Sequence, residues 1–432
     1  MRGKAPAAPG HREPKYADMQ GSQPRAGTGD VKRVLFVDED TTTVASLRHA
    51  FQHQQEPLET VFVRSGEQAL AELGRQPFDA IVSDLCMPQM DGAQLLAAVR
   101  ERHPEVIRLC MGADDDDEIF LRAVPVTHQF LHKPCNPETV REVIERACSL
   151  AAILHNPALR QLVGRLDALP ATPHTFQQLS AAIASPTAHT NDISQIVSND
   201  RALCVKTLQI VNSALFHRSV PITSIPAAVT YVGLEMLKSL ALSACVFTAI
   251  EGSPNSHRLL CDLQERSLRK ARFAHNLLDG EHGADEAFTA ALLLDVGQAV
   301  LALGSPERFA AMIAEARERA LPWQDVEAQF FGAAHPEVGA CLLGLWGLPL
   351  ELIEAVAHHH RPSIIAHPQI RVLAAIHVAD AAVDATTAGS TLRLSGRLDA
   401  SFIGRAEIAR QLRDWHIDVD AEMPLARRLQ AI

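Results

Sequence analysis

No two of the eight cysteines are spaced as a CxxC pair: Cys86, Cys110, Cys135, Cys148, Cys204, Cys245, Cys261 and Cys341 stand far apart. That pattern excludes a zinc ribbon and a disulfide framework, and it fits a reducing, cytoplasmic setting. There is no excess of basic residues either. The 40 Lys and Arg face 51 Asp and Glu, a formal charge of -11, so no nucleic-acid signature runs over the chain as a whole. No uncharged apolar run is long enough to cross a bilayer, and no membrane span is expected. Residues 1–30 lack the apolar core of a secretory leader. They are rich in Gly, Pro and Ala with scattered charge, and disorder is the expectation there. The second half of the chain shows no strand-like alternation of any length and no fixed-period repeat.

Between residues 31 and 150 the pattern is different. The runs RVLFV (33–37), TVFV (60–63), AIVS (80–83), VIRLCM (106–111) and HQFL (128–131) read as strands. Segments such as TVASLRHAF and AQLLAAVRERH separate them with apolar residues at helical spacing. Five strands with intervening helices imply βαβ units and a parallel sheet. The last helix carries Val140, Val143, Ile144, Ala147, Ala151 and Leu154 on one stripe. In a parallel sheet the carboxyl ends of the strands share one edge, and three of them carry charge. Strand one ends in Asp38, Glu39 and Asp40, strand three ends on Asp84, and strand five ends at Lys133. Carboxylates beside a lysine make a hard-oxygen site suited to Mg²⁺. A carboxylate held there can act as a nucleophile toward phosphorus, with the cations neutralising the incoming oxygens. After Asp84, Pro88 fixes the loop, and Asp91 is the expected N-cap of the next helix. The run Asp114–Glu118 is expected to open helix four as a solvated acidic face. Cys86 and Cys135 each lie two residues past a site residue and read as ordinary buried cysteines.

This segment resembles the receiver domain of two-component response regulators. The resemblance rests on Asp38 and Glu39, on DLCMPQMDG (84–92), on Phe130 and on Lys133–Pro134. It implies a flavodoxin-like α/β fold, a phosphoacceptor at Asp84, Mg²⁺ held by Asp38, Glu39 and Asp84, a phosphoryl contact from Lys133 and a switch aromatic at Phe130. It also implies a sensor histidine kinase or phosphotransfer protein as partner. One departure stands out. Where the family carries Ser or Thr at the end of strand four, this chain places Gly112, which has no hydroxyl to follow the phosphoryl group.

From residue 155 the chain reads almost entirely as helix around an apolar core. Pro157 breaks the last receiver helix. Cys204, Leu208, Val211 and Leu215 form a stripe, with Asp200 or Asn199 as cap. The stretches LDALPATP (166–173), ISQIVSNDRALCVKTLQIVNSALF (193–216), ITSIPAAVTYVGLEMLKSLAL (222–242) and HPEVGACLLGLWGLPLELIEAVAHHH (335–360) resemble the all-helical HDOD, or HD-related output, domain. Catalytic relatives of that domain need His and Asp ligands converging on metal. Here Arg266 takes the place of the first histidine and Leu294 that of the histidine in the His-Asp doublet. A fixed cation and an apolar side chain cannot ligate. Asp295, His335, His358, His359, His360 and Asp380 remain as remnants of such a site, with structural roles expected: helix-end imidazoles and paired or capping acids.

The expected organisation is a disordered segment over 1–30, a receiver over 31–150, an HDOD domain over 155–365 and a helical extension over 366–432. The expected function is that of a phosphorelay response regulator. Phosphorylation at Asp84 would signal through a non-catalytic output domain that carries no cofactor and binds an unidentified protein partner. Two alternatives stand beside it: a receiver-controlled, metal-dependent phosphohydrolase acting on a substrate such as cyclic di-GMP, and a scaffold that is never phosphorylated. A homodimer is compatible with the sequence but not specified by it.

Overall fold

The computed structural model describes residues 32–52, 58–112, 117–166, 178, 182, 190–212, 220–232, 254–278, 281–365, 370–387, 397–417 and 419. The segment 1–30, most of LDALPATP, and the stretches 213–219 and 233–253 lie outside the described residues. The N-terminal unit is built on strands β1 (Lys32–Val37), β2 (Leu58–Val63), β3 (Ala80–Asp84), β4 (Ile107–Gly112) and β5 (Gln129–His132). They form one parallel sheet in the order β2-β1-β3-β4-β5. Each strand lies within two residues of its sequence-predicted bounds. β3 and β4 are buried along their whole length, which suits their apolar residues; Arg108 interrupts the run in β4 and is buried with it.

Helices α1 (Thr41–Gln52) and α5 (Pro137–Ile153) pack on one another, and α3 (Gly92–Arg102) packs between α2 (Gly66–Leu73) and α4 (Asp117–Ala123). Asp91 caps α3 as expected: its side chain accepts from the Gln94 backbone at 2.8 Å, and the Gln94 side chain accepts from the Asp91 backbone. Helix α4 begins at Asp117, so only the end of the acidic run lies in it; residues 113–116 fall outside the described set.

The rest of the described chain is helical. It comprises α6 (Pro157–Arg165), α7 (Thr190–Ser198), α8 (Arg201–Val211), α9 (Ile225–Val232), α10 (Pro254–Leu277), α11 (Ala284–Leu293), α12 (Val296–Gly304), α13 (Pro306–Arg319), α14 (Trp323–Phe331), α15 (His335–Leu345), α16 (Leu350–His358), α17 (Ile370–Thr387), α18 (Ala400–Ile403) and α19 (Ala406–Asp414). The apolar stretch Ala284–Gly304 passes the length and composition test for a membrane span, but it breaks at Leu294–Asp295 and 83% of its most apolar window is buried inside this unit. Helix α17, expected as part of a C-terminal extension, packs along α10 and α11 in the same core.

The two units meet along a polar seam. Asn156 caps α6 through its Oδ1, which accepts from Ala158 N at 3.0 Å, and donates from Nδ2 to Phe331 O at 2.9 Å. Arg108 of β4, fully buried, donates to Val126 O at 2.7 Å and across the seam to Gly164 O at 2.8 Å. Gln129 donates to Gly344 O and Leu345 O, both at 3.1 Å, and Arg146 donates to Leu348 O at 2.8 Å. In the other direction Lys206 reaches Val124 O at 3.0 Å and Gln209 reaches His128 O at 2.9 Å. Glycines allow the close approach: a Cβ at Gly164 would lie 1.9 Å from Pro104 O. Helix α8 was expected to bury one stripe. All eleven of its residues are buried, because Lys206 and Gln209 on its polar face dock on the N-terminal unit.

Candidate functional site

The parallel sheet delivers Asp38, Asp84 and Lys133 to one edge, as the strand ends predicted. Lys133 Nζ lies 2.7 Å from Asp38 Oδ2 and 2.8 Å from Asp84 Oδ1. The Asp38 carboxylate is buried and also accepts from Asp40 N at 2.9 Å. Glu39 is exposed beside it, and its backbone carbonyl accepts from Arg64. Burial pushes the Asp84 carboxyl above its ordinary value despite the neighbouring ammonium. Burial works against the Lys133 charge as well, but its contacts with Asp38 and Asp84 outweigh that and hold it above the usual lysine value. Three carboxylates against one ammonium leave this edge two negative charges in excess, and all the donors are hard oxygens. Asp38, Glu39 and Asp84 therefore fit a magnesium-class cation in charge and ligand type.

Gly112 is the last residue of β4, paired with His132, and its carbonyl accepts from Lys133 N at 2.8 Å. A Cβ there would stand 3.0 Å from Leu85 Cδ2 and 3.2 Å from Leu85 Cβ, so Leu85 fills the space a side chain would need. Phe130 is buried and packs on Phe120 with ring centroids 4.8 Å apart. The aromatic thus lies inward with no hydroxyl at 112 to draw it. One cysteine departs from expectation: Cys86 is exposed, because it sits on the loop that leaves β3. Cys135 is half-buried, and burial pushes its thiol up to about 11.

In the helical unit the remnant residues gather in one buried cluster, and its centre is a residue the sequence reading passed over. Lys270, on α10 one turn beyond Arg266, has no exposed surface. Its Nζ lies 2.6 Å from Asp295 Oδ2, 2.6 Å from Asp380 Oδ1 and 3.1 Å from Asp384 Oδ1. Arg266 stacks over Trp323 with 4.6 Å to the ring centroid, lies 3.3 Å from Asp295 Oδ2 and donates to Gln298 Oε1. Burial alone would raise the Asp295 carboxyl; Lys270 and Arg266 hold it far below the usual carboxylate range instead. Burial likewise opposes the Lys270 charge, and Asp295 and Asp380 raise its pKa regardless. Leu294 is fully buried in the apolar core.

His335, His359 and His360 stand on the far side of Asp295. His335 Nε2 lies 3.2 Å from His359 Nε2 and 3.2 Å from His360 Nε2, and 3.6 Å from Asp295 Oδ1. His358, expected among the remnants, is outside this group: it is half-buried at the end of α16, and burial lowers its pKa. Glu327 is the other residue missed. It is fully buried, and its Oε2 accepts from His335 N at 2.8 Å and faces His335 Nδ1 at 2.6 Å. Nothing in WQDVEAQFF set Glu327 apart from Asp325 in the same helix; Lys270, repeating Arg266 at i+4, was the signal for the ammonium.

Two family models match the chain: the response regulator receiver domain over residues 34–145 and the HDOD domain over residues 169–362. An uncharacterised protein of Treponema pallidum is 28% identical over 204 residues, which is 46% of this chain and 39% of that one. The hydrogenase transcriptional regulatory protein HoxA of Cupriavidus necator is 31% identical over 168 residues, 35% of this chain and 34% of that one. The chain therefore spans well under half the length of these curated relatives. Among solved structures, a virulence factor of Campylobacter jejuni aligns with a TM-score of 0.51 at 17% identity, covering 64% of this chain and 98% of that one, which shows a shared fold.

Proposed function

The two matches place this chain among the response regulators, as a receiver domain joined to an HDOD domain, and on that premise we propose that Asp84 accepts a phosphoryl group and that the helical domain answers without catalysis. The observation that carries the first half is Lys133 Nζ held between Asp38 and Asp84 at 2.7 and 2.8 Å. A carboxylate oxygen of Asp84 forms the new bond to phosphorus as the bond to the donor's leaving group breaks. Lys133 then balances the charge on the transferred oxygens. Asp38, Glu39 and Asp84 would hold Mg²⁺, which supplies further charge neutralisation there. A histidine kinase or phosphotransfer protein in the cytoplasm is the fitting donor. With Phe130 already inward, Lys133 is the group best placed to report phosphorylation to β5, whose other end carries Gln129 to the helical domain.

What supports a non-catalytic output is Lys270 and Arg266 bonded to Asp295, with Lys270 also on Asp380. These cations take oxygens that a two-metal hydrolytic centre would need. The output then rests on protein binding, and the receiver is the part over 31–150. Incubation with Mg²⁺ and acetyl phosphate should add one phosphoryl group to the intact mass. Asp84→Asn should abolish it, and equal labelling of that variant would refute the assignment.

A further inference from the structure

A cleft of about 430 Å³ opens between α11, α16 and the start of α17, and none of its described lining residues belongs to the buried lysine and histidine cluster. Its floor is apolar: Ala290 of α11, Leu352 and Ala355 of α16, Ile365, and Val372 and Leu373 of α17. Three carboxylates, Glu286, Glu351 and Glu354, also line it, and among the described residues no Lys or Arg does. Helical spacing explains the layout. Positions 351, 352, 354 and 355 share one face of α16, so its acids and its apolar residues meet the cleft together. The surface around the cleft is apolar as well. Among the described residues five large apolar side chains are exposed, and three of them adjoin the lining. Leu350 precedes Glu351 and is 51% exposed, Ile364 precedes Ile365 and is 62% exposed, and Val220, three residues before Thr223, is 64% exposed. Exposed apolar residues gathered at a concave site with a polar rim mark a binding surface.

The carboxylates are short of partners. Among the described residues no ion pair or hydrogen bond reaches the side chains of Glu286, Glu351 or Glu354, and Oε2 of Glu351 is closed off from solvent without a donor. The neighbouring groups do not neutralise them. Arg146 feels the Glu351 charge but donates to Leu348 O. His358, one turn beyond Glu354, feels that carboxylate, yet burial holds its imidazole below the usual value and so uncharged at neutral pH. A closed-off acceptor without a donor is costly until a ligand supplies one.

We infer that this cleft receives an amphipathic helical segment of a protein partner, with apolar residues on one face and Lys or Arg beside them. Apolar side chains at i, i+3 and i+4 fill the floor, as a helix laid in a groove does. The flanking cations meet three carboxylates that no described cation holds. A second copy of this chain does not fit, because a symmetric contact sets these acids against the same acids. The exposure of Leu350, Ile364 and Val220 leaves the rim open to a molecule other than this chain. The inference rests on the protein-binding reading of the helical domain, and it supplies the surface and the chemistry of the partner.

The probe is a fluorescent peptide of about 15 residues, long enough to hold a helix, with Leu at i, i+3, i+4 and i+7 and Lys on the flanks. It is titrated with the full chain and read by anisotropy. Saturable binding is expected. Glu286→Gln, Glu351→Gln and Glu354→Gln together should weaken it about tenfold. Ala355→Leu fills the floor without touching charge and should weaken it too. The same charge change at exposed receiver positions, Glu67→Gln, Glu101→Gln and Glu105→Gln, should leave the affinity unaltered. Thermal midpoints show that each variant is folded, and the glutamine set decides the matter if Ala355→Leu is not. Absence of saturable binding, equal binding by the cleft triple variant, or equal weakening by the receiver triple variant would each overturn the inference. So would binding that appears only after residues 420–432 are deleted, since the cleft would then belong to the chain's own segment. None of these results touches protein binding at another face; phosphodiester hydrolysis by the full chain would overturn that broader reading without changing the peptide's affinity.

Discussion

Lys133 bridges two aspartates at 2.7 and 2.8 Å in the receiver, and Lys270 bridges three in the helical domain, two at 2.6 Å and one at 3.1 Å. Both clusters carry two more carboxylates than fixed cations. The difference is access. The Lys133 side chain keeps 23% of its surface in contact with solvent, and that of Lys270 keeps 0%. At the sheet edge a phosphoryl group and a hydrated cation can enter and leave. Inside the helical domain the ammonium has α10, α12 and α17 around it, so the same charge pattern becomes a structural element. Position in the fold, and not residue type, separates a reactive carboxylate from a tethered one here.

The largest effect should come from removing each lysine in turn. Lys270→Met takes the ammonium from buried Asp380 and leaves Asp295 with Arg266 alone, and it should cost about 3–5 kcal/mol of stability. Lys133→Met, at a half-buried and partly hydrated site, should cost about 1 kcal/mol or less while impairing phosphorylation. Denaturant midpoints of the two variants check this, and equal losses would erase the contrast between the sites. An intermediate effect belongs to the seam. Gly164→Ala forces a methyl group against Pro104 O and should cost about 1–3 kcal/mol. If the seam is tight, that cost appears as earlier unfolding of the whole chain; an unchanged midpoint would show that the contact yields freely.

The smallest effect is a pH dependence. His128 is buried at the seam, and its Nδ1 accepts from Arg108 N at 3.0 Å. Burial, then Arg108 and Lys206, hold its pKa well below the ordinary value. The folded state therefore binds a proton less readily than the unfolded chain. Stability is fully present above the unfolded pKa of about 6.5 and is lost as pH falls from there toward the lower folded pKa, by at most about 1.4 kcal/mol per pH unit. His128→Asn keeps an acceptor and removes the titration. Denaturation curves between about pH 7 and pH 5.5 should slope less steeply for the variant; parallel slopes would show that His128 does not titrate in this range.

The receiver edge was legible because βαβ topology is local: each strand end can be read off its own apolar run, and the fold rule brings the ends together. The helical cluster was legible only in part. Arg266 and Leu294 announced a departure by their chemistry. Nothing local announced that Lys270 would meet Asp295, 25 residues away, and Asp380, 110 residues away. Helical packing sets those meetings, and no periodicity in the chain encodes them. The same limit explains His358 and His360, adjacent positions on either side of His359 whose side chains leave the helix end in different directions. Cys86 misled because its loop lies outside the strand that precedes it.

The seam has an evolutionary consequence. Arg108, Gln129, Arg146, Lys206 and Gln209 cross it to grip main-chain oxygens of Gly164, Gly344, Leu345, Leu348, Val124 and His128. Every amino acid supplies such an oxygen, so drift on the gripped side need not be answered by change on the gripping side. Paired substitutions across this junction should be scarce, and a search for correlated positions between the two domains would pass over the surface that joins them.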